Sequence, residues 1–201
     1  MIAILDYDAG NLKSVEKALD FLGEECVVTR DESVILGADR VILPGVGAFG
    51  EAMERLREYR LEETIHRVAA QGTPFLGICL GLQLLFESSE ECPGAKGLGL
   101  LKGRIRRIPA GADRKVPHMG WNSLKICPGS RLFHGIEDGA YVYFVHSYYL
   151  EAAQEAVVAA TTEYGAHIHA AVEAGNVFAC QFHPEKSGAV GLQILKNFAA
   201  L

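Results

Sequence analysis

The sequence predicts an α/β protein: a three-layer fold whose central sheet is mixed and mainly parallel, with antiparallel strands added in the second half. Three observations carry this. Strand and helix patterns alternate through the first half, the pattern changes after about residue 98 to short strands separated by Gly and Pro turns, and the chain is rich enough in apolar residues to cover a sheet on both faces. With 201 residues, 49% of them apolar and 22% charged, folding can bury about 70% of the unfolded surface. One domain spanning 1–201 is expected, since no linker, repeat or low-complexity segment interrupts it.

Taken in order, Ile2–Leu5 is a short apolar run and reads as the first strand. Leu12, Val15, Leu19 and Leu22 recur at helical spacing within Asn11–Leu22, and Gly23 ends that helix. Glu25–Thr29 and Arg40–Leu43 read as the next strands, the latter stopping at Pro44, and Ala48–Ala70 holds one or two amphipathic helices. Thr73–Ile78 is a further strand leading into a helix at Leu80–Phe86. Beyond Leu98, strands are expected at Gly103–Ile108, Val116–Ile126, Tyr141–Ser147, Ala156–Thr162 and His167–Val172, extending the sheet antiparallel. Val177–Phe182 is a last strand, and Gly188–Leu201 a closing helix.

A net charge of −6 argues against a nucleic-acid binder, whose phosphate-facing surface needs clustered Lys and Arg. The basic residues Lys102, Arg104, Arg106 and Arg107 read as a solvated face. Five cysteines, an odd number with no Cys-x-x-Cys spacing, fit reduced thiols in a cytoplasm. The N-terminus reads as a first strand and not as a signal peptide, and no run is long enough for a membrane span, so a cytoplasmic protein without a membrane partner is expected.

Chemistry concentrates at three places. In Gly77-Ile78-Cys79-Leu80-Gly81 a cysteine sits between strand and helix, framed by glycines in the manner of a nucleophile elbow. The positive end of the helix dipole favours its thiolate, and the Leu80 amide is placed to meet a tetrahedral oxyanion. The bland alternative is a small core residue. The other cysteines, Cys26, Cys92, Cys127 and Cys180, lack the frame and read as structural.

A cysteine nucleophile needs an imidazole base and a group that orients it. His183 follows the last strand, Pro184 holds its backbone extended, and Glu185, two residues on, can lie on the imidazole's side in an extended chain. Cys79, His183 and Glu185 thus form a candidate nucleophile, base and orienter. His167 and His169 have a spacing that could bind metal, but no acid or cysteine cluster completes a site, so no metal is expected.

The third place is Gly45-Val46-Gly47-Ala48-Phe49-Gly50, which matches the Gly-x-Gly-x-x-Gly of dinucleotide sites, with Glu62 or Glu63 near the distance of a ribose-binding acid. It follows the third strand instead of the first, and those acids sit in a helix. The preferred reading is that its backbone amides face developing negative charge, with Val46 as the second oxyanion donor opposite Leu80.

Pro44-Gly45-Val46-Gly47, Gly77-Ile78-Cys79-Leu80-Gly81-Leu82-Gln83 and His183-Pro184-Glu185, in this order, resemble the class I, triad-type glutamine amidotransferases. Asp6-Tyr7-Asp8-Ala9-Gly10-Asn11-Leu12, Pro117-His118-Met119-Gly120-Trp121-Asn122 and Lys186-Ser187 narrow the resemblance to the glutaminase subunits of imidazole glycerol phosphate synthase, along essentially the whole chain. Asp8 departs from the family, which usually has glycine there.

The resemblance implies a flavodoxin-like sheet and hydrolysis of L-glutamine by Cys79, His183 and Glu185, with Val46 and Leu80 as oxyanion donors. Gly47, Gln83, His146, Ser147 and Tyr148 would bind substrate. No cofactor is implied. Ammonia would pass to a cyclase subunit with a (β/α)-barrel fold, forming a heterodimer in histidine biosynthesis, and activity would stay low until that partner and its substrate bind. Asn11, Met119, Trp121 and Lys186 match positions expected at the interface. A relative feeding ammonia to vitamin B6 synthesis and a silent binding module are the alternatives. The Pro117–Asn122 and Lys186-Ser187 motifs argue against the first, and the intact triad types against the second.

Overall fold

The computed structural model describes residues 1–111 and 114–201. In chain order its elements are β1 (Ile2–Leu5), α1 (Leu12–Leu22), β2 (Cys26–Thr29), α2 (Glu32–Leu36), β3 (Arg40–Gly45), α3 (Phe49–Glu58), α4 (Leu61–Ala70), β4 (Phe75–Cys79) and α5 (Leu80–Leu84). There follow β5 (Ser88–Ser89), β6 (Gly103–Arg107), β7 (His118–Ser123), β8 (Lys125–Ile126), β9 (Tyr141–His146), β10 (Tyr148–Ala152), β11 (Val158–Glu163), β12 (His167–Ala174), β13 (Val177–Cys180) and α6 (Gly188–Ala199). The main sheet runs β2-β1-β3-β4-β13-β12-β11-β8. Its first five strands are parallel, and β12, β11 and β8 continue it antiparallel.

Uninterrupted apolar strands follow from burial of both faces. Along β1, Ala3 and Leu5 enter one core while Ile2 and Ile4 enter the other; β3 divides Val41 and Leu43 from Ile42 in the same way. The first core is closed by α2, α3 and α4 through Ile35, Met53, Leu56, Ile65 and Val68. The second is closed by α1 and α6 through Val15, Leu19, Ile194, Leu195 and Phe198. Among the described residues no helix is long and apolar enough to cross a membrane.

The second half departs from the expectation of a single extended sheet. Strands β10, β6 and β5 form a separate sheet, and β7 pairs with β9 as a two-stranded ribbon. The predicted strand over Val116–Ile126 is two strands: Leu124 closes the ribbon irregularly, its amide bonding to the Ala140 carbonyl while its own carbonyl accepts from Gly139. Beyond it β8 pairs with β11. The Ala48–Ala70 stretch is two helices, broken where Arg60 turns left-handed at φ 58°. Pro44 lies within β3, not at its end, opposite Ile78. Helix α2 has no long apolar stripe to announce it and rests on Asp31, whose side chain accepts from the Ser33 and Val34 amides.

Asp8, the departure from the family pattern, takes φ 61°, a left-handed conformation at home for glycine. Hydrogen bonds from Tyr59 and Arg30 hold its carboxylate in place and below its ordinary pKa, and Arg30 stacks over the Tyr59 ring at 4.1 Å. The short polar side chain thereby fixes a turn that lacks glycine's freedom.

Candidate active site

Parallel pairing sets Gly45 beside Cys79 and Cys180 beside Ile78, so the carboxyl ends of β3, β4 and β13 lie next to one another. This is where open α/β sheets place ligands. Cys79 itself is strained, at φ 56° and ψ −107° between β4 and α5. The frame is compulsory: a Cβ at Gly81 would lie 1.9 Å from the Leu43 carbonyl oxygen, and one at Gly77 would lie 2.8 Å from the Gly81 carbonyl.

Around Cys79 lies a cavity of about 330 Å³, within the range of small-molecule sites. It brings together ten of the residues singled out from sequence: Val46, Gly47, Cys79, Leu80, Gln83, His146, Ser147, Tyr148, His183 and Lys186. Lys186, expected on a partner surface, stands at the mouth. Asn11, expected there too, donates its side-chain amide to Glu185 Oε1 at 2.6 Å. Met119 and Trp121 lie outside the cavity, 62% and 55% exposed on the ribbon, with Trp121 edge-on to Tyr143 at 5.9 Å.

Glu185 Oε1 also accepts from His183 Nδ1 at 2.8 Å, and both side chains are essentially buried. Glu185 gets there through a tight turn at Pro184–Lys186, not through the extended backbone expected from sequence. Because Nδ1 carries the proton to the carboxylate, Nε2 is the nitrogen left for the chemistry of the cavity that His183 shares with Cys79. Burial alone would lower the His183 pKa. Its bonds and charge interactions with Cys79 and Glu185 outweigh burial and raise it to about 9. Ser187 welds this turn to the ribbon: its hydroxyl donates to the His183 carbonyl at 2.6 Å and accepts from the Tyr143 amide at 2.9 Å.

Two further histidines are held neutral. His146 Nδ1 donates to the Tyr148 carbonyl at 2.8 Å, so its Nε2 accepts from His118 Nδ1 at 2.9 Å. Burial pushes His146 down to about pKa 3, more than the Tyr148 bond restores, and His118 down to about 4. His118 is further clamped between Tyr164 and Phe144, at ring distances of 3.8 and 4.9 Å.

Sequence reasoning missed Glu91 and Gln181. The Glu91 carboxylate lines the cavity and accepts from the Phe49 amide at 2.8 Å, capping α3 where Ala48 offers no side-chain cap. An anion already occupies the helix start that a dinucleotide phosphate would require, so the Gly45–Gly50 loop is not a phosphate cradle. Tyr7, buried, donates to the Pro44 carbonyl at 2.8 Å, and burial and the nearby Cys79 charge push its pKa up. His167 and His169 pair with Glu163 and Glu155, and no group of three or more metal-ligating side chains is present among the described residues.

Residues 3–200 match the glutamine amidotransferase class-I family. The chain is 53% identical over 198 residues to the imidazole glycerol phosphate synthase subunit HisH of Bacillus cereus strain G9842, covering 98% of this chain and 93% of that protein. It is 54% identical to the HisH of Moorella thermoacetica, covering 100% and 94%, and 49% identical to that of Methanocaldococcus jannaschii over the full length of both. A crystal structure of a glutamine amidotransferase superimposes with a TM-score of 0.77 at 22% identity, over 100% of this chain and 99% of the other. The structure of PurLQS from Thermotoga maritima gives 0.74 at 21% identity, over 98% and 96%. Both share the fold. The chain belongs to the class-I glutamine amidotransferases and, among them, to the HisH glutaminase subunits of imidazole glycerol phosphate synthase.

Proposed function

We propose that Cys79, His183 and Glu185 hydrolyse the side-chain amide of L-glutamine as one catalytic triad, within a single domain spanning 1–201. The observation that carries this reading is the buried 2.8 Å contact between His183 and Glu185, with His183 lining the same cavity as Cys79. The Cys79 thiolate attacks the carboxamide carbon, and the amides of Leu80 and Val46 receive the oxyanion. His183, protonated, gives its proton to the leaving nitrogen, and ammonia departs. A water deprotonated by His183 then attacks the thioester, the C–S bond breaks, and glutamate leaves with the thiolate restored.

Gln83, Gly47, His146, Ser147 and Tyr148 line the cavity and hold the amino-acid end of the substrate. Glu91 brings a carboxylate to the same wall, where it would attract the α-ammonium group. Ammonia in neutral water is mostly ammonium and is not a nucleophile, so it must pass directly to an acceptor. A cyclase subunit of (β/α)-barrel fold, bound as a heterodimer in the cytoplasm, would take it. Met119 and Trp121 supply the apolar part of that contact, with Lys186 and Asn11 beside it.

The test is Cys79→Ala in the two-subunit complex. Glutamine-dependent synthesis should fall by at least about a thousandfold while synthesis from added ammonium is retained. Loss of both would make Cys79 a structural residue, and retention of both would remove it from the chemistry.

A further inference from the structure

Gln181 directly follows β13 and is fully buried. Its side chain has two partners: Nε2 lies 3.7 Å from Cys79 Sγ, and Oε1 lies 3.0 Å from Gln83 Nε2. The orientation of this amide follows from its neighbours. The Tyr148 carbonyl can only accept, so Gln83 must turn its Nε2 toward it, at 3.1 Å. The second hydrogen of that same nitrogen then points at Gln181, which must answer with Oε1. Its Nε2 is left facing the sulfur, and flipping it would set two donors against each other.

We propose that Gln181 is a further catalytic residue, its amide N–H donating to the Cys79 sulfur and stabilising the thiolate; this rests on Cys79 being the nucleophile. In the thiol form Cys79 donates to the Val145 carbonyl at 3.8 Å. Deprotonation turns the sulfur from a donor into an acceptor, and Gln181 is the buried neutral donor already aimed at it. A thioester sulfur accepts hydrogen bonds poorly, so the contact favours the charged nucleophile over the acylated state. Such a donor holds the thiolate without adding a proton that could be lost.

Other titratable groups interact with Cys79 or line its cavity: His183 and Cys180 from β13 and its extension, Tyr7 from the loop after β1, and His146, Glu91 and Lys186 on the cavity wall. All are kept in Gln181→Met, which replaces the amide with an unbranched side chain of similar length. Iodoacetamide uptake at Cys79 against pH, read by peptide mass spectrometry on the full chain, should show the alkylation midpoint raised by about one unit, equivalent to roughly tenfold less thiolate at a given pH. An unmoved midpoint in folded Gln181→Met overturns the proposal.

Should that variant fail to fold, the unmodified chain gives the answer. The Gln181 side-chain amide protons, assigned by comparison with Gln181→Asn, should shift on Cys79 alkylation and titrate with the same midpoint. Signals indifferent to both overturn it equally. Cys79→Ala separates the two ideas: full glutamine hydrolysis in that variant removes the nucleophile reading itself, whereas a Cys79 that is required but insensitive to Gln181 removes only this one.

Discussion

At Cys79 the backbone is held at φ 56° so that a side chain on a buried strand can face a cavity. The cost of that conformation, on the order of 1–3 kcal/mol, is borne by the strands on either side. His183 is the other strained choice, a buried imidazole whose pKa is raised where burial alone would lower it. Its proton is stabilised by Cys79 and Glu185, so this contribution to stability is full below the ordinary pKa of 6.5 and lost as pH rises through about 9. In Cys79→Ala the sulfur's share disappears, and the imidazole midpoint should fall, as read by NMR of labelled histidine. An unchanged midpoint would mean that Glu185 alone sets it. The residue pattern around Cys79 was legible because an elbow is a local device, with both glycines within two positions of the nucleophile. Glu91 and Gln181 were not, because nothing near either residue in the chain marks it. Each acquires its role from a partner supplied by another element: the Phe49 amide for Glu91 and the Cys79 sulfur for Gln181.

Among the elements, the β7–β9 ribbon carries the most chemistry outside the triad. It places His118 on its inner face and Met119 and Trp121 on its outer face, and its far strand runs on to His146 and Ser147 at the cavity. The neutral His118–His146 pair makes this element sensitive to acid. Folded pKa values near 4 and 3 lie below the ordinary 6.5, so the unfolded chain takes up protons first as pH falls. Stability from the pair is intact above pH 6.5 and declines as pH falls, at up to ~1.4 kcal/mol per pH unit for each histidine, the loss ending near pH 4 for His118 and near 3 for His146. His118→Phe, which keeps a ring between Tyr164 and Phe144, should flatten the acid side of a plot of denaturation midpoint against pH. The same slope in both proteins would show that other groups dominate there. The ribbon's strands were visible as alternating sequence, but its separation from the main sheet was not. That separation depends on the irregular close of the ribbon at Leu124, where Gly139 donates to its carbonyl, and on β8 pairing with β11 instead, a long-range choice with no local signature.

For the whole molecule, one end of the sheet holds both the cavity and the exposed aromatic face beside it. Trp121 is the chain's single tryptophan and more than half exposed. Buried aromatic anchors dominate the energy of many interfaces, and truncating one commonly costs about 2 kcal/mol or more. Trp121→Ala should therefore weaken binding to the cyclase subunit by roughly thirtyfold, measured by calorimetry. Equal affinity would move the interface away from the ribbon.

The sequence by itself determined the alternating strand and helix order, the burial of both sheet faces, the elbow around Cys79 and the residue types of a nucleophile, base and orienter. Each of these is local, set by hydrophobic period, by turn sterics or by spacing within a few residues. Only the tertiary structure decided that β13, about a hundred residues after β4, inserts beside it. That pairing delivers His183, Glu185 and Gln181 to Cys79. It also turned Asn11 toward Glu185 and Glu91 toward the Phe49 amide. Strand order in a parallel sheet is selected by the packing of helices on both faces and by the whole set of pairings together, which is why no stretch of sequence near any one of these residues announces its partner.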